Sequence, residues 1–357
     1  MRRALVIILF LLLAIGATAE WAVWSLRQPY QNFAASGVYV DVPRGAARRT
    51  VARLLADQGV IRNRWLFEAL TRWRSRQTLQ AGEYLFDRPS TPLEVFDKIA
   101  SGRIFVRELV VTEGFSTFEI ADLVSREGLT TREDFLSAAR NPELARSFAP
   151  GAPSLEGFLF PATYQFPRHL SGQEIATAMV RRFQQEWQTV SAQSRNVAGL
   201  SVQQVVTLAS LVESETPQAE ERPLVAGVFL NRLNRRVPLQ CDPTVAYALQ
   251  IAGQYSGKLE ARDLRFDSQY NTYRQTGLPP GPITNPGAMS LRAALDPVRT
   301  DLLYFVANAE GGHVFSKTLA EHNRNVAHYR QLLAEQRRAA RLTSATAKTA
   351  TSPERSR

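Results

Sequence analysis

The rhythm of apolar and polar positions changes several times along the chain, and each change predicts an element. An apolar run from Ala4 to Ala19, continued by Trp21-Ala22-Val23-Trp24, reaches a bilayer-spanning length if Glu20 is tolerated near one end; such a helix needs roughly 20 mostly apolar residues. Val38-Tyr39-Val40-Asp41-Val42 then alternates with the period of a strand. Pro43-Arg44-Gly45 turns the chain, and Val51, Leu54 and Leu55 mark the apolar face of a helix that stops at Gly59. The same order returns as Leu109-Val110-Val111, Thr112-Glu113-Gly114, and a helix with Ile120, Leu123 and Val124 that stops at Gly128. The interval from turn glycine to stop glycine is the same in both copies. Ser116 and Glu119 make a capping box for the second helix. Between the copies lies a looser version: a strand over Gly82-Glu83-Tyr84-Leu85-Phe86, then Thr91-Pro92-Leu93-Glu94 as a capped helix start with proline at its first position.

Residues 129–187 read as mainly helical, interrupted by an apolar stretch from Ser154 to Tyr164 whose central Gly157 and Pro161 predict a fixed, mostly buried segment. Glu156 inside that stretch needs a partner if buried, and a structural ion pair is expected. Ser201 and Gln204 open another capped helix, followed by Val205, Val206, Leu208, Ala209, Leu211 and Val212. A helix apolar nearly all round belongs in a core. It should end in Glu213-Ser214-Glu215-Thr216-Pro217, because a proline pushes the preceding residue out of helical geometry. At such an end, apolar surroundings and the negative pole of the helix dipole favour a protonated carboxyl, the form a general acid requires. Glu213 and Glu215, two residues apart, face different sides of the helix and cannot share a proton as a dyad. Local chemistry alone leaves Glu213 open between a catalyst and a solvated helix end.

Charge and rare residues narrow the chemistry. The net charge is +10, but from Gln336 onward six basic residues face one acidic residue, Glu354, so the tail supplies half of it. That tail, rich in Ala, Ser and Thr and without aromatics, reads as disordered, and nucleic-acid binding is not expected. Arg2 and Arg3 before the apolar run place the N-terminus in the cytoplasm and export the rest. Ala17-Thr18-Ala19 also fits a signal-peptide cleavage site, whereas Trp21 and Trp24 suit the outer interface of an uncleaved anchor. Cys241 is the single cysteine, so neither an intrachain disulfide nor a cysteine-built zinc site is expected. The four histidines (His169, His313, His322, His328) form no H-E-x-x-H arrangement. His313, after Gly311-Gly312, could approach a cleft, but a surface turn is expected. No metal and no cofactor are expected.

Longer motifs carry a resemblance. Leu208-Ala209-Ser210-Leu211-Val212-Glu213-Ser214-Glu215-Thr216, Val228-Phe229-Leu230-Asn231-Arg232-Leu233, and Leu239-Gln240-Cys241-Asp242-Pro243-Thr244-Val245 resemble the endolytic murein transglycosylases, the MltG/YceG-like family. The match resumes at Tyr270-Asn271-Thr272-Tyr273, Thr276-Gly277-Leu278-Pro279-Pro280-Gly281-Pro282-Ile283, Asn285-Pro286-Gly287 and Tyr304-Phe305-Val306-Ala307. The resemblance implies Glu213 as the catalytic residue, and the Glu213-Ser214 pair resembles the signature of lysozyme-like transglycosylases. It further implies an acid that protonates the glycosidic oxygen between MurNAc and GlcNAc and then accepts the proton of the C6 hydroxyl, closing a 1,6-anhydro ring. That chemistry dispenses with the second carboxylate of ordinary glycosidases.

Around Glu213, the expected substrate-binding residues are Ser214, Gln240, Asp242, Tyr270, Asn271 and Tyr273, with Asp242 in Asp-Pro-Thr equally able to cap a helix. The expected fold class is α+β. It comprises a transmembrane anchor (1–24), a linker (25–37), a LysM-like module (38–105), a second β-α unit with a helical connecting region (106–200), a mixed helical and strand catalytic domain with a lysozyme-like catalytic helix (201–333), and a disordered basic tail (334–357). The expected setting is the inner membrane, single-pass, with the catalytic domain on the extracytoplasmic side, acting on nascent peptidoglycan glycan strands beside peptidoglycan synthases. Two rival functions stay open: a hydrolytic muramidase using Glu213 and Asp242, and a non-enzymatic peptidoglycan-binding scaffold.

Overall fold

The computed structural model describes residues 2–168 and 170–350. The fold is α+β, as expected, and its described residues fall into two compact units: 2–108 with 165–168 and 170, and 109–164 with 171–350.

The first unit begins with α1 (Arg2–Leu26), whose Leu5–Leu26 stretch is long and apolar enough to cross a membrane. There follow β1 (Val38–Val42), α2 (Arg48–Asp57), α3 (Arg64–Trp73), β2 (Gly82–Phe86) and α4 (Pro92–Ala100). β1 and β2 pair antiparallel from Val38↔Phe86 to Val42↔Gly82. A two-stranded sheet is marginal alone, so its inner face (Val40, Val42, Tyr84, Phe86) is closed by Leu55, Phe67, Phe96 and Ile99 from the helices, all buried. The capping box predicted at Thr91 and Glu94 is present, with Pro92 opening α4. α3, capped by the Asn63 side chain, is a second helix that the alternating pattern did not announce.

The boundary between the units runs through β3 (Arg107–Val110) and β4 (Thr163–Phe166), which pair with each other. The second unit contains α5 (Thr117–Arg126), α6 (Arg132–Arg140), α7 (Gly172–Ala192), α8 (Val202–Glu215), α9 (Arg222–Asn234), α10 (Asp242–Ile251) and α11 (Ala288–Leu295). The chain closes with the hairpin β5 (Tyr304–Ala307) and β6 (His313–Ser316), and then α12 (Leu319–Ala350). The two turn-helix copies take the same local form. Gly45 and Gly59 in one, and Gly114 and Gly128 in the other, all have positive φ, a region that glycine enters freely.

α8 is the axis of this unit. Every residue from Val205 to Val212 is buried, packed between α9, α10 and α11. Its capping box (Ser201, Gln204) and its end at Thr216, extended before Pro217, match the pattern read from the chain. α12 departs from expectation. It docks on the hairpin, with Tyr304 stacked on His322 at 5.2 Å and Asn325 donating to the Ser316 hydroxyl. It then continues to Ala350 through most of the segment expected to be disordered. Ala, Glu, Gln and Arg in 334–341 are strong helix formers, and they extend a helix already nucleated on the hairpin. Residues 351–357 of the expected tail lie outside the described residues, as does His169.

Candidate active site

α8 delivers two carboxyl groups in different directions from its last turn. Glu213 turns towards the start of α9 and the loop before α11. Arg222 Nη2 donates to its Oε1 at 2.8 Å, Nη1 to Oε2 at 3.4 Å, and the Gly287 N–H to Oε2 at 2.9 Å. The two side chains of this ion pair are only 5 % and 8 % exposed. Glu113, in the turn before α5, lies 3.8 Å from Arg222 and is half-exposed. Burial raises its pKa, the Glu213 charge raises it further, and Arg222 opposes both. Glu213 therefore sits among a guanidinium and a backbone N–H donor, not in the apolar setting expected for it. The reason is tertiary: Arg222 and Gly287 arrive from other elements.

Glu215 faces the opposite side. It lines a cleft of about 470 Å³ together with Arg232, Gln240, Asp242, Tyr273 and His313. Burial raises the pKa of its carboxyl, a bond from the Cys241 thiol opposes this, the Asp242 charge adds to it, and His313 opposes it. Asp242 is the first residue of α10 and does not cap it; Cys241 holds the cap position without a side-chain bond, so the capping role considered for Asp242 is corrected. The Asp242 side chain instead accepts from the Tyr273 hydroxyl at 2.6 Å. Gln240, at a positive φ of 55°, receives Arg232 Nη2 on its Oε1 at 3.2 Å. Opposite them, Glu221 Oε1 accepts the His313 N–H at 2.8 Å and Glu221 Oε2 contacts His313 Nδ1 at 2.7 Å. His313 thus begins β6 in the cleft wall and not on a surface turn.

A family model described as YceG-like matches residues 40–328. The chain belongs to the YceG-like family. It is 33 % identical over 316 residues to the endolytic murein transglycosylase of Bacillus subtilis strain 168, covering 84 % of this chain and 87 % of that protein. The endolytic murein transglycosylase of Streptococcus pneumoniae serotype 2 strain D39 is 30 % identical over 325 residues, covering 82 % of this chain and 58 % of that protein. A 2.6 Å crystal structure of a YceG-like protein from Listeria monocytogenes superposes with a TM-score of 0.55 at 33 % identity, covering 82 % of this chain and 99 % of that one.

Within this YceG-like chain, three of the expected binding residues have other work. Asn271 is fully buried: its Nδ2 donates to the Leu264 and Phe266 carbonyls at 3.1 and 2.7 Å, and its Oδ1 accepts from the Tyr273 N–H at 3.0 Å. It locks the turn that presents Tyr273. Tyr270 lines a separate cavity of about 250 Å³ with Phe118, Arg140 and Tyr247, and burial pushes its phenol up to about 12. The Ser214 hydroxyl bonds back to the Ser210 carbonyl at 2.8 Å, a local helix contact. The burial and pairing of these side chains come from tertiary neighbours that motif order does not reveal. Conversely, Arg222 and Glu221 were not singled out for the site, and His313 was placed first on a surface turn. The one available signal was Gly311-Gly312 before His313: a Cβ on Gly312 would fall 2.6 Å from Glu221 Oε1, so only glycine lets that carboxylate reach the hairpin.

Glu156, expected in an ion pair, has none among the described residues. It is 1 % exposed; both its oxygens accept from the Thr117 N–H at 3.0 Å, at the start of α5, and Oε1 accepts from Asn285 Nδ2 at 2.9 Å. Asn285 also receives the Leu159 N–H at 2.9 Å, so Glu156 holds the loop whose Gly287 N–H reaches Glu213. Burial raises its carboxyl to about 7, against the hydrogen bonds from Thr117. A carboxyl raised on folding is protonated in the fold while the unfolded chain already ionises. Its contribution to stability is therefore complete below the unfolded value of about 4.3 and is lost as pH rises towards 7. Glu156→Gln should remove that loss, on the order of 3 kcal/mol. Urea unfolding at pH 4.5 and 7.5 is expected to show a smaller pH difference for the variant than for the wild type; equal differences would refute the assignment.

Proposed function

We propose that this chain is an endolytic murein transglycosylase that cuts the MurNAc–GlcNAc β-1,4 bond within nascent glycan strands and leaves 1,6-anhydro-MurNAc ends. The observation that carries the reading is Glu215: a carboxyl with a raised pKa, lining the one cleft that gathers Gln240, Asp242, Tyr273 and His313. Membership of a family whose relatives bear that name supports the substrate class. The acid role moves from Glu213 to Glu215, because a general acid needs a path to the substrate, and Glu215 lines the cleft while Glu213 is held by Arg222 away from it. Glu215 protonates the leaving O4 as positive charge develops at C1, and the C6 hydroxyl attacks C1 with loss of its proton. Tyr273, held by Asp242, and Gln240, held by Arg232, offer a ring face and an amide to the sugars. Asp242 bonded to Tyr273 is poised to stabilise charge at C1.

One observation favours a second reading. Glu215 and Asp242 share the cleft, which is the carboxyl pair a water-using muramidase requires. Product mass separates the two: purified strands digested by the protein should release ends lighter by one water than reducing ends. Reducing ends alone would replace the transglycosylase reading with the muramidase one. The remaining features suit the setting. α1 is compatible with a single-pass anchor; we place the second unit outside the inner membrane, near the synthases that make the strands. The β-α-α-β order of the first unit supports a LysM-like, glycan-binding role for residues 38–105.

A further inference from the structure

The cleft holds a second proton-handling group built on the pattern of a carboxylate-oriented imidazole. Glu221 grips His313 twice, through the backbone N–H at 2.8 Å and through Nδ1 at 2.7 Å. A carboxylate only accepts, so the Nδ1 side of the ring carries the proton and Nε2 is left as an acceptor. No hydrogen bond reaches Nε2 among the described residues. The ring is wedged edge-on against Phe305 at 5.3 Å, which fixes its plane. Glu221 Oε2 also accepts from the Thr216 hydroxyl at 3.1 Å, tying the pair to the residue that follows Glu215. The same cleft wall therefore presents an acid, Glu215, and a base with its own orienting carboxylate.

We propose that His313, oriented by Glu221, is the general base that takes the proton of the attacking sugar hydroxyl while Glu215 acts as the general acid. This rests on the Glu215 reading above and divides between two residues what a single carboxyl would otherwise do in turn. As C1–O4 breaks, Glu215 gives its proton to O4. O6 forms the new bond to C1, and its proton passes to His313 Nε2. The imidazolium faces the Glu221 carboxylate, as in acyl-transfer triads. A proton then returns from Nε2 to Glu215 through water, so the cycle consumes no co-reactant. A single carboxyl needs only to begin protonated, giving a rate that falls with rising pH. Two residues require His313 neutral and Glu215 protonated together, which adds an acidic limb to the profile. The charged and titratable groups facing His313 are Glu221, Glu215 and, across the cleft, Asp242, Arg232, Tyr273 and His322.

The test is strand cleavage by the full chain as a function of pH, with wild type, His313→Gln and Glu221→Gln. The wild type is expected to show an acidic limb. His313→Gln should lower kcat by about 10²–10⁴-fold and abolish that limb, with KM changed less than about threefold. Glu221→Gln should move the limb, because the ring loses the carboxylate that holds it. A wild-type profile without the limb, or a folded His313→Gln protein that keeps both limb and rate, overturns the proposal. If His313→Gln does not fold, the Glu221→Gln shift decides, and an unmoved limb overturns it. Activity surviving in Glu215→Gln sinks the underlying reading instead, so the two failures are distinguishable.

Discussion

Glu215→Gln is expected to abolish strand cleavage while leaving the fold intact. The substitution keeps the size of the side chain and removes its transferable proton. General acid catalysis is worth roughly 10²–10⁴ in rate, and Glu215 is a cleft carboxyl whose pKa burial raises. The cost to the fold should be small. In the wild type the carboxyl is held towards its neutral form by burial and by the Asp242 charge, and a neutral amide meets the same surroundings without an ionisation to suppress. Cleavage of purified strands, read beside urea unfolding of the same preparation, checks both halves. A well-folded Glu215→Gln protein with wild-type activity would return the acid to another residue.

How far the residues announced this site depends on whether the determinant is local. The capping boxes at Thr91, Ser116 and Ser201 each join residues three apart and were legible, as was the end of α8 before Pro217. The opposite orientations of Glu213 and Glu215 also followed from helical periodicity alone. Which of the two meets the cleft did not. That choice is made by Arg222 at the start of α9 and Gly287 before α11 on one side, and by Cys241 and Asp242 on the other. Each comes from a separate element, so no window around α8 contains the answer. Asn271 and Tyr273 illustrate the same division two residues apart: one is spent inside the turn and the other is aimed into the cleft. The motif located both; only packing distinguished them. Glu156 was recognised as needing a partner, yet a helix N-terminus and an amide satisfied it where a cation was expected.

Glu213→Gln should produce the opposite result to Glu215→Gln: a destabilised protein whose folded fraction still cleaves. The Glu213–Arg222 pair is nearly solvent-free and joins the end of α8 to the start of α9. Removing one partner of a buried pair costs about 3–5 kcal/mol, because the other charge stays buried and uncompensated. Here Arg222 would be left with Glu113, 3.8 Å away and half-exposed, as its remaining anion. The Gly287 N–H can still donate to the amide oxygen, so the loop before α11 keeps its anchor. Rescue gives the sharper measurement. If the loss comes from an orphaned guanidinium, pairing Glu213→Leu with Arg222→Met should recover most of the stability, since apolar replacement of a buried ion pair is often neutral or better. Activity per folded molecule should stay within about tenfold of wild type, well short of the loss from removing an acid. A Glu213→Gln protein of wild-type stability and no activity would reverse the roles of the two glutamates. It would show that the guanidinium holds a catalytic carboxylate instead of a structural one.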